Sequence, residues 1–171
     1  MRLFLIRHST REVPEDFSDA EEGDPEAELT DEGKAIAESL GEWMADNDQV
    51  PQAMLVSPTV RAQQTAEILC DKIEAAGFAR PVMKTDVGIG PNMSIRQAVL
   101  GLLKDDSAED VAIVSHKGTI KNGLMQLGKN PDKPKPMAMG EMRSLRIKRR
   151  NGNWKEESSV LPSDLGHSES Y

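Results

Sequence analysis

Leu3-Phe4-Leu5-Ile6 is a run of consecutive apolar residues that stops at Arg7-His8. A half-buried strand alternates apolar with polar residues. A run without alternation reads as a strand buried on both faces, and so demands a layer on each side of a sheet. The pattern occurs twice more. Ala53-Met54-Leu55-Val56 runs into Ser57-Pro58 and Arg61, and Val111-Ala112-Ile113-Val114 runs into Ser115-His116. In open α/β sheets, ligands bind beyond the carboxyl ends of the strands. Apolar strands that each end near an Arg or a His therefore predict one shared pocket for an anion.

At 171 residues the chain is long enough for one domain with helices on both sides of a sheet. Residues 1–162 are expected to form it, with 163–171, including His167, as a poorly ordered polar C-terminal tail. The formal net charge of -8 argues against sequence-independent nucleic-acid binding, which needs a basic surface. A local cationic pocket inside an acidic protein still suits a phosphorylated substrate. The single cysteine, Cys70, rules out an internal disulfide, reads as a core thiol and fits a cytoplasmic setting. No membrane association is expected. The residues before Arg7 are too few for a signal peptide, and no apolar run approaches the roughly 20 residues that span a bilayer.

Glu12 to Glu28 is rich in Asp and Glu, holds no Lys or Arg, and reads as a solvated flap, with a selectivity filter, a dock for a basic partner or a source of a catalytic acid as the functional alternatives. Thr30 is a natural helix cap, followed by Asp31 and Glu32 at the positive end of the dipole and by an Ile36, Leu40, Trp43, Met44 stripe. Ser57 is expected to cap a second helix with Pro58 at its first position, carrying Ala62, Ala66, Leu69 and Ile73 until Gly77. A strand over Pro81–Val87 precedes a Gly/Pro loop, Gly88 to Asn92. Ile95, Val99, Leu102 and Leu103 mark a third helix, and Gly118–Leu127 a fourth. Asn130–Pro136 is a connection. Ser144–Lys148 and a strand from Trp154 flank the turn signal Asn151-Gly152. Strand–helix alternation makes the sheet largely parallel, with this hairpin as an antiparallel edge. The basic residues Arg143, Arg146, Lys148, Arg149 and Arg150 are expected on the polar side of that edge strand and its turn.

Phosphoryl transfer through a histidine needs a neutral imidazole nitrogen and cations around the phosphate oxygens. His8 is the candidate nucleophile. Arg7 and Arg61 present forked donors, and their charge disfavours imidazolium nearby. His116 is placed to donate to a phosphate oxygen. Backbone N–H groups near Ser57 add donors if the helix start faces the pocket. Two histidines between two arginines make a poor metal site, so no metal is expected.

Leu5-Ile6-Arg7-His8, Leu29-Thr30-Asp31-Glu32-Gly33, Val56-Ser57-Pro58-Thr59-Val60-Arg61-Ala62-Gln63-Gln64-Thr65-Ala66 and Val114-Ser115-His116 together resemble the histidine phosphatase superfamily, the phosphoglycerate-mutase-like group. The blocks stand in family order and cover most of the chain to about Leu127. The resemblance implies an α/β fold of three α/β/α layers, a covalent phosphohistidine on His8, a phosphate pocket completed by Arg7, Arg61 and His116, and no metal or organic cofactor. The family usually has Gly after Arg-His, where this chain has Ser9. Its mutase branch carries a Glu donor where this chain reads Thr85 to Asn92, with Asp86 the nearest carboxylate and more naturally a turn residue. A short chain without that donor looks most like the bacterial phosphohistidine phosphatase branch. The expected partner is then a phosphorylated protein. The alternatives are a phosphomonoesterase for a small phosphorylated metabolite and a catalytically silent phosphate-binding module.

Overall fold

A computed structural model of the chain shows a six-stranded sheet of order β3-β2-β4-β1-β5-β6. The structure describes residues 1–12, 24–127 and 134–170. The strands are β1 (Arg2–Arg7), β2 (Ala53–Val56), β3 (Val82–Thr85), β4 (Asp110–Ser115), β5 (Met142–Ile147) and β6 (Trp154–Val160). β1, β2, β3 and β4 run parallel, and β5 and β6 join antiparallel beside β1. The helices are α1 (Asp31–Asp46), α2 (Val60–Ala75), α3 (Arg96–Leu103) and α4 (Lys117–Gln126).

The unbroken apolar run of β1 is explained by its two neighbouring cores. Phe4 and Ile6 pack with Leu40 and Met44 of α1 and Leu69 and Ile73 of α2. Leu3 and Leu5 point the other way and pack with Val99 of α3 and Ile120 and Leu124 of α4. Both sheet faces are thus covered, giving the three-layer α/β/α arrangement, and β1 and β4 lie at its centre. Each fully buried large apolar side chain contributes about 1.5–3 kcal/mol. Cys70 lies in the first core, where burial pushes its thiol up to about 11.

Thr30 caps α1 as its sequence predicts, its hydroxyl accepting from the Gly33 N–H at 3.0 Å. Gly33 is required by the packing of that turn on the chain leaving β1, because a Cβ there would lie 2.0 Å from the Thr10 carbonyl oxygen. Three expectations need correction. Ser57 does not cap α2: the helix begins later, at Val60 after Thr59, and the Ser57 hydroxyl bonds elsewhere. Residues 163–170 of the tail dock on the domain. Leu165 packs against the α1/α2 core, the His167 ring bonds the Ser39 hydroxyl at 2.9 Å, and the Met139 N–H donates to the Ser170 carbonyl at 2.7 Å. One apolar residue and free backbone partners are enough to dock a polar segment. Arg143, finally, is buried, because β5 is flanked by β1 and β6 and is no edge. Arg146 pairs across the hairpin with Glu157, and Arg149 donates to the carbonyls of Leu102 in the last turn of α3 and of Asp105 and Ala108 beyond it.

Of the acidic segment, residues 13–23 lie outside the described residues. Its last part packs rather than floats: the Asp24 carbonyl accepts from Arg61, and the Pro25 carbonyl from the Val60 N–H. Part of the Asn130–Pro136 connection also lies outside them. Among the described residues no helix is long and apolar enough to cross a membrane.

Candidate active site

β4 inserts between β1 and β2, and this topology brings three strand ends side by side. His8 follows β1, Ser57 follows β2 and His116 follows β4 at the start of α4, while Arg61 enters from the first turn of α2. Arg7, His8, Ser57, Arg61 and His116 are all buried.

The hydrogen bonds define the state of each imidazole. His8 Nδ1 lies 2.8 Å from the Ser9 carbonyl oxygen. A carbonyl only accepts, so Nδ1 carries the proton and Nε2 holds the lone pair. Arg61 Nε donates toward that lone pair at 3.4 Å. The His116 ring lies 5.0 Å from the His8 ring, centroid to centroid. Its Nδ1 faces Arg61 Nη2 at 3.5 Å, and a guanidinium only donates. His116 Nε2 therefore carries the proton and donates to Ser57 Oγ at 2.8 Å.

Electrostatics act in the same direction. Burial above all, then His116, Arg61 and Arg7, holds His8 well below its ordinary value, outweighing the Ser9 hydrogen bond that favours the cation. Burial and then the charges of Arg61, Arg7 and Arg11 bring His116 down to about 3. Both rings are neutral at physiological pH, within a cluster of fixed positive charge. An oxyanion is the complement of such a site.

The predicted residues are therefore brought together, with one change of role. The Ser57 N–H is used by the Val114 carbonyl, so Ser57 faces the pocket with its hydroxyl instead. Several contributors were not anticipated. Thr65 Oγ1 accepts from the Ser9 N–H at 3.1 Å and donates to the Arg61 carbonyl at 2.8 Å, linking the two site segments. Buried Thr59 approaches His116 Nε2 at 3.5 Å. Backbone carbonyls also hold the cations: Asp24 accepts from Arg61 Nη1 at 2.8 Å and Met137 from Arg7 Nη1 at 2.6 Å. The Thr residues lie within the quoted motif, whereas the carbonyls carry no side-chain signal. Asp86 is a turn residue as expected. Its Oδ1 accepts from the Gly88 N–H at 2.8 Å, and it lines a 400 Å³ cavity whose wall includes none of the pocket residues.

An α/β/α fold with a buried imidazole at the strand ends, its Nε2 lone pair turned toward Arg61, is suited to holding an oxyanion. The sequence profile of the histidine phosphatase superfamily (branch 1) matches residues 3–82. Just under half of the chain, residues 3–82, is thus similar to that superfamily. No curated protein matches it in sequence. Solved structures share its fold. The protein histidine phosphatase SixA complexed with tungstate superposes with a TM-score of 0.80 at 18% identity, covering 96% of this chain and 99% of that one. A SixA from Agrobacterium tumefaciens, described as a candidate phosphohistidine phosphatase, gives 0.73 at 19% identity, covering 94% and 97%. A mycobacterial glucosyl-3-phosphoglycerate phosphatase complexed with VO3 gives 0.70 at 17% identity, covering 92% and 97%.

Proposed function

We propose that the protein is a phosphatase that works through a covalent phosphohistidine on His8, with phosphohistidine in proteins as its substrate. The observation that carries this reading is the bond from His8 Nδ1 to the Ser9 carbonyl, which leaves the Nε2 lone pair beside Arg61 and His116. Nε2 attacks phosphorus and forms the N–P bond, while the bond to the leaving group breaks and its electron pair leaves with that group. Water then attacks the phosphorus. The Nε2–P bond returns its electrons to the imidazole, and inorganic phosphate and a proton are released. Arg7 and Arg61 stabilise the charge on the equatorial oxygens. As the anion binds, His116 Nδ1 takes a proton from solvent and becomes a donor to a phosphate oxygen.

Among the described residues, the placement of Asp86 supports this choice of leaving group. Asp86 is committed to a turn beside a separate cavity. A substrate whose departing atom is already stable or readily protonated needs the least help, and the imidazole of phosphohistidine is such a group. The fold is shared both with SixA, named a protein histidine phosphatase, and with an enzyme named a glucosyl-3-phosphoglycerate phosphatase.

The test is a comparison of a phosphohistidine peptide, an aryl phosphate and a panel of alkyl phosphates under one set of conditions, with wild-type protein and His8→Ala. The expected order is phosphoramidate and aryl ester far ahead of alkyl ester, with turnover abolished in His8→Ala. An alkyl ester that wins by a wide margin and depends on Asp86 replaces this reading with a small-molecule phosphomonoesterase. Phosphate binding without cleavage of any substrate makes the protein a phosphate-binding module.

A further inference from the structure

Glu141 and Arg143 form a buried ion pair that the chemistry above does not use, with side chains only 3% and 7% exposed. Glu141 Oε1 accepts from Arg143 Nε at 2.5 Å, and Oε2 accepts from the Ala138 N–H at 2.7 Å. The rest of the guanidinium is directed at the same loop: Nη1 donates to the Lys135 carbonyl at 3.0 Å and Nη2 to the Pro136 carbonyl at 2.8 Å. Desolvating two charges roughly cancels the gain from pairing them, so net stability is a weak reason to keep such a pair. What the pair does is geometric. It ties residues 135, 136 and 138 to β5 from two directions.

The carbonyl enclosed by those ties is that of Met137, which accepts from Arg7 Nη1 at 2.6 Å. The loop is also bonded to the end of β1 through its backbone. Gly140 N–H points at the carbonyls of Arg7 and His8, each at 3.2 Å, and the Arg7 N–H donates to the Glu141 carbonyl at 3.1 Å. That turn needs φ +78° at Gly140, where a Cβ would lie 2.5 Å from Ile36 Cγ2. A guanidinium is planar with fixed donor directions, so one short bond at Nη1 sets the direction of the others.

We propose that Glu141 and Arg143 are positioning residues for Arg7: by fixing the Met137 carbonyl they aim the Arg7 guanidinium, and so set oxyanion affinity without touching the oxyanion. This rests on the reading of Arg7 as part of the phosphate pocket.

A double-mutant cycle tests it. Vanadate inhibition, KM for an aryl phosphate and thermal midpoint are measured for wild type, Arg7→Ala, Arg143→Lys, Glu141→Gln, and each of the latter two combined with Arg7→Ala. Arg143→Lys keeps a cation for Glu141 but loses the fork that reaches two carbonyls. In the wild-type background, Arg143→Lys and Glu141→Gln should weaken vanadate binding roughly tenfold to a hundredfold, as misaimed groups do. In the Arg7→Ala background each should have less than about a twofold effect, the usual limit for independent sites. Equal effects in both backgrounds, or loss of folding in both variants, assign the pair to stability alone and overturn the proposal. If Arg7→Ala by itself leaves vanadate affinity unchanged, the phosphate-pocket reading of Arg7 is what fails.

Discussion

His116 is the residue whose protonation most clearly links folding to ligand binding. Burial and the charges of Arg61, Arg7 and Arg11 bring it to about 3 in the folded chain, against about 6.5 for a free histidine. Its pKa is depressed on folding, so between those values the unfolded chain binds the extra proton. Stability is then fully present above pH about 6.5 and is lost as pH falls toward 3. His8, also held low, adds to the same slope. The thermal midpoint of the ligand-free protein should therefore fall as pH drops from neutrality. Tungstate should recover part of the loss, because an anion among these groups favours the imidazolium. His116→Gln should flatten the profile. Calorimetry across that interval checks this, and indistinguishable slopes for wild type and variant would contradict the assigned charge state.

At the scale of elements, the site depends on how closely α1 approaches the chain leaving β1. Gly33 sits under the Thr10 carbonyl, and the Thr30 N–H donates to that same oxygen at 3.1 Å. Gly33→Ala places a methyl 2.0 Å from it, so the helix and the segment after His8 must separate. The expected result is a loss of about 1–3 kcal/mol, as for overpacked cores, with a fall in kcat/KM. Gly101 in α3 is the control, since a Cβ there meets nothing within 4 Å. Gly101→Ala should be stabilising by about 0.5–1 kcal/mol, with activity unchanged. Denaturant titration and steady-state kinetics on the two variants separate packing from propensity. If Gly33→Ala matches Gly101→Ala, the close approach has no role.

The whole molecule is acidic, with a net charge of -8, yet it buries the guanidiniums of Arg7 and Arg61 beside the strand ends. Anion affinity is therefore expected to be local, set by the buried cluster rather than by the surface. The same cluster repels divalent cations, because Arg7 and Arg61 flank both imidazoles. Hydrolysis of an aryl phosphate should be unchanged by EDTA. Loss of activity in the chelator, restored by one particular metal, would show that the cluster does not act through its own charges.

The apolar runs were legible because they obey a local rule: a strand covered on both faces must be apolar at every position, as Leu3 to Ile6 are. Arg7, His8, Arg61 and His116 could be picked out for a related reason, since each sits next to such a strand or at the helix start that follows one. Thr30 read correctly as a cap because capping is set within a few residues. Other features required the folded chain. The insertion of β4 between β1 and β2 is a pairing of distant segments, and without it the strand ends would not converge. The direction of the Ser57 hydroxyl depended on His116 being its neighbour, and a capping preference could not foresee that. Arg143 looked like a surface cation until β5 was flanked on both sides and Glu141 was found beside it. Leu165 alone did not reveal that the tail docks, because the core it joins is built from α1 and α2. Sequence determined which residues carry charge, apolar surface or a lone pair, since those are properties of single side chains and their near neighbours. Tertiary structure alone decided which of them meet, because hydrogen bonds and desolvation act over a few ångströms between positions more than a hundred residues apart, as from Arg7 to Met137.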